Sequence, residues 1–182
     1  RSEFIYANNK ISRVDNYYDN NVLSQYIFTY DSQGRLFASE YCYNPNDEPC
    51  DDSDSESYSY NSDGSITITD GGNGYTYVVE FDDNGNIVRF SDDDNVIELT
   101  YDNYNSPFKN ITGATPLVIA QEIFSNSYLY SFNNNCLSFV LYEDDETDTF
   151  NFTYDYNDAG YPRNVVIADG SAQETIVIEY ID

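Results

Sequence analysis

One unit recurs along this chain and limits what it can fold into. It consists of alternating aromatic residues, an Asp or Asn, a short polar stretch that usually ends in Gly, and then an aliphatic residue. The fullest copy is Tyr26-Ile27-Phe28-Thr29-Tyr30-Asp31-Ser32-Gln33-Gly34-Arg35-Leu36. Residues 58–66 and 77–87 repeat it, 97–103 carry it with an insertion, and 150–155 repeat it again. Shortened copies without the Gly stand at 6–11 and 128–137. The last aromatics, Tyr6, Tyr30, Tyr60, Phe81, Tyr101, Phe132 and Tyr154, recur at irregular steps of roughly 20–31 residues. Each step has room for two strands and two turns.

Local chemistry makes each unit a β-hairpin. Tyr26, Phe28 and Tyr30, like Phe150, Phe152 and Tyr154, alternate with period two and therefore share one face of a strand. The Asp or Asn that follows can cap a turn with its side chain, and the Gly accepts positive φ. The sequence thus predicts an all-β fold: an antiparallel meander of about seven hairpins, about 14–15 strands, strongly curved or barrel-like. No Pro- or Gly-rich linker divides the chain, so residues 1–182 read as one domain. One stretch departs from the pattern. Thr115-Pro116 followed by apolar Leu117, Ala120 and Phe124 predicts a short amphipathic helix near 116–124, suited to covering an apolar sheet face.

The turns resemble a known family. Tyr-x-Tyr-Asp-x-x-Gly-Arg-Leu, met here at residues 28–36, resembles the YD repeat of RHS-type proteins. The stretch Tyr101-Asp102-Asn103-Tyr104-Asn105-Ser106-Pro107-Phe108-Lys109-Asn110-Ile111 is similar to a sub-motif of YD-repeat-like domains in secreted or surface lipoproteins of Bacteroidetes-type bacteria. Such domains are often lipid-anchored and mostly of unknown function. The resemblance implies an extracytoplasmic place, on the bacterial outer-membrane surface or secreted, and transfers no catalytic residues. The chain starts within a strand-like segment, without an initiator Met or signal sequence. We therefore expect a longer precursor, with a possible lipid anchor upstream of Arg1.

Composition narrows function. The formal net charge is −26, from 7 Lys+Arg against 33 Asp+Glu. That argues against nucleic acid and against docking on anionic lipid, both of which need a positive surface. No run approaches the ~20 apolar residues of a membrane helix. The chain holds no histidine, which removes Ser-His-Asp and Cys-His nucleophiles and most catalytic zinc sites. Paired carboxylates are abundant and would suit a glycosidase, but a general acid needs a pKa raised by burial, and these residues cluster in turns. No enzyme activity and no cofactor is expected, calcium being the one candidate ion. Its hard oxygen donors would be Asp82, Asn84 and Asn86 in one turn, and Asp52, Asp54 and Glu56 in a return loop. The competing reading is that Asp-x-x-Gly simply builds the hairpin turn.

Cys42 and Cys50 bracket a loop stiffened by Pro45 and Pro49. A disulfide between them would contribute roughly 2–3 kcal/mol and would favour an oxidising compartment. Cys136 suits a buried thiol at a strand start. Six cations, Lys10, Arg13, Arg35, Arg89, Lys109 and Arg163, follow the aromatic–Asp turns and predict cross-strand pairing with carboxylates. The 20 Tyr and 11 Phe admit two roles: packing of one sheet face, or exposed rings that stack on sugars. The function expected from all this is a non-catalytic extracytoplasmic binding or accessory module, with a protein or a glycan as partner. The alternatives are a structural subunit of an outer-membrane assembly and a carbohydrate-active enzyme using paired carboxylates.

Overall fold

A computed structural model of the chain describes residues 1–43, 45, 55–113, 133–143, 146–169 and 172–180. These residues form thirteen strands: β1 Ser2–Ala7, β2 Lys10–Tyr18, β3 Asn21–Tyr30, β4 Leu36–Tyr43, β5 Ser55–Tyr60, β6 Ile66–Asp70, β7 Thr76–Phe81, β8 Ile87–Ser91, β9 Asn95–Tyr101, β10 Cys136–Glu143, β11 Glu146–Tyr156, β12 Pro162–Asp169 and β13 Ala172–Val177. Their order in the sheet is their order in the chain. The expected all-β antiparallel meander is therefore the fold. Among the described residues β1 and β13 stand at the two ends of that order. The helix expected near 116–124 lies outside the described residues.

The chain divides into two compact units, Arg1–Val78 with Thr112–Ile123, and Val79–Ile111 with Phe124–Asp182. In the first, Ile11, Val14, Tyr26, Phe28, Leu36, Tyr58, Ile66 and Ile68 are buried. In the second, Cys136, Phe152 and Val165 form a buried cluster against Leu99, Tyr101, Phe139, Phe150, Tyr154, Ile167 and Ile176. The alternating aromatics thus serve as core, on the face that the pleat assigns them.

Two hydrogen-bonding devices explain the repeat. In the turn, the Asp31 amide donates to the Arg35 carbonyl at 2.9 Å and the Gly34 amide to the Asp31 carbonyl at 2.9 Å. The Asp31 carboxylate then accepts the Gln33 and Arg35 amides at 2.9 and 2.8 Å. Gly34 needs its φ of 79° to make this possible. The second device is a ladder of hydroxyls. Tyr30 donates to the Ile11 carbonyl at 2.6 Å, Tyr101 to Ile87 at 2.6 Å, Tyr154 to Cys136 at 2.7 Å and Tyr180 to Pro162 at 2.9 Å. Every acceptor is the residue that closes the preceding turn, so each strand-ending tyrosine fastens one hairpin to the one before it. Phe81 fills the same position without a hydroxyl.

Just past most turns the register slips by one residue. Thr29 faces Ala38 while Tyr30 faces Leu36, Thr100 faces Ser138 while Tyr101 faces Cys136, and Asp155 faces Asn164 while Tyr156 faces Pro162. Each bulge puts residues three apart on the same face, so Leu36 and Ser39, or Pro162 and Val165, are buried together. The extra residue is turned outward, which is why Phe37 and Leu137 are 55% and 39% exposed.

The cations do not behave as expected. Of the ion pairs among the described residues, only Arg89–Glu80, at 2.9 Å, joins two strands. Arg13 pairs with Asp15 along its own strand, and Arg35 with Asp31 inside its turn. Lys10 bonds the Gly34 carbonyl and lies over the Tyr30 ring, and Arg35 lies over Tyr60. Arg35 thus combines a carboxylate within its own turn with the face of an aromatic ring.

Candidate functional site

One turn is interrupted. At the end of β9 the Asp102 amide donates to the Asn135 carbonyl at 3.0 Å, the bond that Asp31 makes to Arg35 and Asp82 makes to Asn86. The partner here is 33 positions away rather than 4. Asn135 and Cys136 therefore close the turn that Asp102 opens. The sequence instead reads them as closing a separate copy at 128–137. The outgoing residues of that copy lie outside the described residues.

The base of the insertion is a buried polar cluster. Ser106 is 0%, Asn86 2% and Asn135 3% exposed. The Asp102 carboxylate accepts the Tyr104 amide at 2.9 Å, the Asn135 amide at 3.1 Å and the Asn135 Nδ2 at 3.1 Å. It also accepts the Tyr156 hydroxyl. Asn86 Nδ2 donates to Asn134 Oδ1 at 3.0 Å, and Asn134 Nδ2 donates to the Tyr104 carbonyl at 3.0 Å. Asn135 Nδ2 reaches the Asn105 carbonyl at 3.3 Å. Leaving any such buried group unpaired costs about 1–3 kcal/mol, so the cluster holds the neighbouring chain in one arrangement. Burial, and then the bond to Asp102 and its charge, raise the Tyr156 hydroxyl above the usual phenol range. It stays a donor.

On this base stands an aromatic platform. The Tyr104 ring is stacked on Tyr156 at 4.2 Å with 21° between planes, yet it is 52% exposed. Gly160 lies at its edge, where a Cβ would come within 3.5 Å of Tyr104 Cδ1. The Asn105 amide donates to the Gly160 carbonyl at 3.1 Å. Asn105 Nδ2 reaches the Ala159 carbonyl at 3.3 Å, and Lys109 Nζ donates to Asn105 Oδ1 at 2.6 Å. Asn110 Nδ2 donates to the Tyr161 hydroxyl at 3.0 Å. Tyr161 meets Tyr180 edge-on at 5.9 Å, and Tyr180 is 46% exposed. The sequence assigns no individual role to Tyr104, Asn105 or Ser106. The available signal was a turn-opening Asp102 with neither the Gly nor the aliphatic residue expected just after it.

The calcium candidates do not converge. Among the described residues no group of three or more Cys, Asp and Glu side chains is placed to hold a metal. Asp82 spends its carboxylate on the Asn84 and Asn86 amides and on Asn86 Nδ2. The Asn84 carbonyl accepts Asn133 Nδ2, and Asn86 is turned into the buried cluster. Glu56 accepts Tyr58 at 2.5 Å, Ser39 at 3.3 Å and also the Tyr77 hydroxyl. Asp52 and Asp54 lie outside the described residues. Cys42 is buried and disulfide-bonded, while its expected partner Cys50 lies outside them. Cys136 is a buried free thiol whose pKa burial pushes up to about 12. A shallow depression of about 260 Å³ lies over Thr29, Ala38, Glu40, Ser55, Ser57 and Thr69.

Turn carboxylates are held ionised. The Arg35 backbone amide lowers the Asp31 pKa most; burial opposes it, and the Arg35 side chain and the Gln33 amide add to the lowering. The Ser65 hydroxyl and amide lower Asp63. For Asp82 burial works upward, but the Asn86 and Asn84 bonds outweigh it and the pKa falls.

No family model matches the chain, and no curated protein matches it. Among solved structures, a porin-like protein from Bacteroides vulgatus ATCC 8482 is similar over 98% of this chain and 87% of that one, at 8% identity and a TM-score of 0.46. At that level the likeness transfers neither function nor location.

Proposed function

We propose that the chain is a non-catalytic binding or accessory module working outside the cytoplasm on a bacterial cell surface, and that it engages its partner at the interrupted turn between β9 and β10. The observation that carries this is the Tyr104 platform: an exposed ring fixed from beneath by a fully bonded polar cluster, which is what a preorganised binding surface requires. The turn carboxylates support the non-catalytic part. A glycosidase acid needs a raised pKa, whereas Asp31, Asp63 and Asp82 are shifted downward. The Cys42 disulfide fits an oxidising compartment, as does the YD-repeat resemblance of the turns.

The test is incubation with a panel of polysaccharides read by reducing-end release. The expected result is no turnover. Release that disappears on substitution of a carboxylate would make the chain an enzyme. A structural subunit of an outer-membrane assembly is the second reading, favoured by the ends of the strand order: among the described residues β1 and β13 each pair with one neighbour, and an unpaired edge is a template for another strand. Native extraction followed by sizing separates the two, since a subunit migrates with its assembly and a binding module migrates alone.

A further inference from the structure

We infer that the Tyr104 platform binds a neutral glycan, with one pyranose ring laid on the open face of Tyr104. This rests on the binding-module reading and names the class of its ligand. One face of the Tyr104 ring is taken by Tyr156 at 4.2 Å, and the residue is nevertheless 52% exposed. A flat, rigid, half-open tyrosine suits the C–H face of a sugar, which is apolar and matched in size to a phenol ring. The rim supplies the complementary chemistry. Lys109, bonded to the Asn105 that follows Tyr104, and its neighbour Asn110 are exposed, and Asn110 meets the Tyr161 hydroxyl; the same turn therefore carries amide, ammonium and hydroxyl groups suited to sugar hydroxyls.

Charge selects among glycans. A net charge of −26 repels uronic and sulfated chains at long range, and Lys109 is already engaged with Asn105 at 2.6 Å. Stable protein interfaces bury roughly 800 Å² a side around an apolar centre, whereas the turn that carries Tyr104 continues into the polar Asn105, Lys109 and Asn110. The ordering cost of binding is low because the base is already fixed by Asp102, Asn134 and Asn135.

Affinity electrophoresis of the full chain tests this, in gels containing galactomannan, mixed-linkage β-glucan or α-mannan, with polygalacturonate as the anionic comparison. Retardation is expected in at least one neutral gel and absent in polygalacturonate. Tyr104→Ala should weaken it about 10-fold, equivalent to about 1.4 kcal/mol, while Tyr104→Phe retains it. Thermal midpoints are read alongside. Should Tyr104→Ala unfold, Asn110→Ala tests the rim instead and is expected to weaken retardation several-fold. Equal retardation of the Ala variants overturns the site, and retardation by polygalacturonate alone overturns the charge argument. No retardation in any neutral gel overturns the glycan inference, yet leaves the binding-module reading standing for a protein partner. Cleavage of the gel polysaccharide would instead defeat that reading itself.

Discussion

The tyrosine ladder makes a quantitative prediction at Tyr154. Its hydroxyl donates to the Cys136 carbonyl at 2.7 Å, and its ring packs on the Cys136–Phe152–Val165 cluster. Tyr154→Phe keeps the ring and its buried area and removes only the donor. A neutral hydrogen bond contributes about 0.5–1.5 kcal/mol net, and an acceptor left buried costs about 1–3 kcal/mol. The carbonyl keeps its place beside the strand, so the expected loss is about 1.5 kcal/mol. For a chain of 182 residues that corresponds to roughly 3–6 °C in thermal midpoint. Tyr180→Phe is the internal control: the same bond at 2.9 Å belongs to a residue 46% exposed, where water replaces the donor and the loss should stay below about 0.5 kcal/mol. Urea unfolding followed by tyrosine fluorescence reads both. The pH dependence follows from burial, which raises the Tyr154 pKa above the usual phenol value. A folded pKa above the unfolded one contributes stability that is present below about pH 10 and lost as pH rises further. The difference between parent and variant should therefore be flat from pH 6 to 9. A Tyr154→Phe cost within about 0.3 kcal/mol of zero, or smaller than that of Tyr180→Phe, would refute the ladder as the reason for tyrosine at these positions.

Three further outcomes are expected. The Cys136 thiol, its pKa pushed up to about 12 by burial, should resist a thiol reagent at pH 8 in the folded chain and react once in denaturant; fast labelling of the native protein would contradict its burial. Asp82 has a lowered pKa, so it contributes stability above the unfolded value near 3.9 that is lost as pH falls through the folded value. Asp82→Asn should flatten the acid side of the stability profile, and an unchanged slope would show that the turn bonds do not favour the ionised form. Reducing the Cys42 disulfide should lower stability by about 2–3 kcal/mol, the loop-entropy value for the expected closure with Cys50, measured as a fall in denaturation midpoint with reductant.

What was legible in the sequence was local. The Asp31, Asp82 and Asn157 turns are built by bonds spanning two to four residues, so a short window contains all their chemistry. The strand alternation was legible for the same reason. Phe37 and Leu137 were not, because a bulge adds a residue and turns them outward, and nothing in a period-two pattern announces the slip. The choice of Tyr over Phe at 30, 101 and 154 depends on a carbonyl 19, 14 and 18 positions away, beyond any local window. The site was hidden for a stronger reason. Asp102 finds its turn partner at Asn135, and the copy-like run at 128–137 makes the strand after Cys136 read as the return of a hairpin opened at Tyr128 instead of the return of the strand that ends at Tyr101.

The interruption at Asp102 carries a definable cost and a definable compensation. Closing a loop over 33 positions in place of 4 costs about 2 kcal/mol more by the logarithmic growth of loop entropy. The Asn135 amide side chain offsets it with bonds to the Asp102 carboxylate at 3.1 Å and the Asn105 carbonyl at 3.3 Å, each worth about 1 kcal/mol. Asn135→Ala keeps the backbone bond to Asp102 and removes both of the others. The expected result is local: β9 and β10 stay paired through Leu99–Phe139 and Ile97–Leu141, while the base of the insertion loosens. Amide exchange is the discriminating measurement. Exchange at Tyr104 and Ser106 should speed up by about 10-fold or more, with exchange in the β9–β10 ladder slowed or unchanged relative to the global loss of stability. Uniform acceleration across both would mean that the cluster supports the whole sheet, and unchanged exchange at Tyr104 would mean that the platform is held by its stacking on Tyr156 alone.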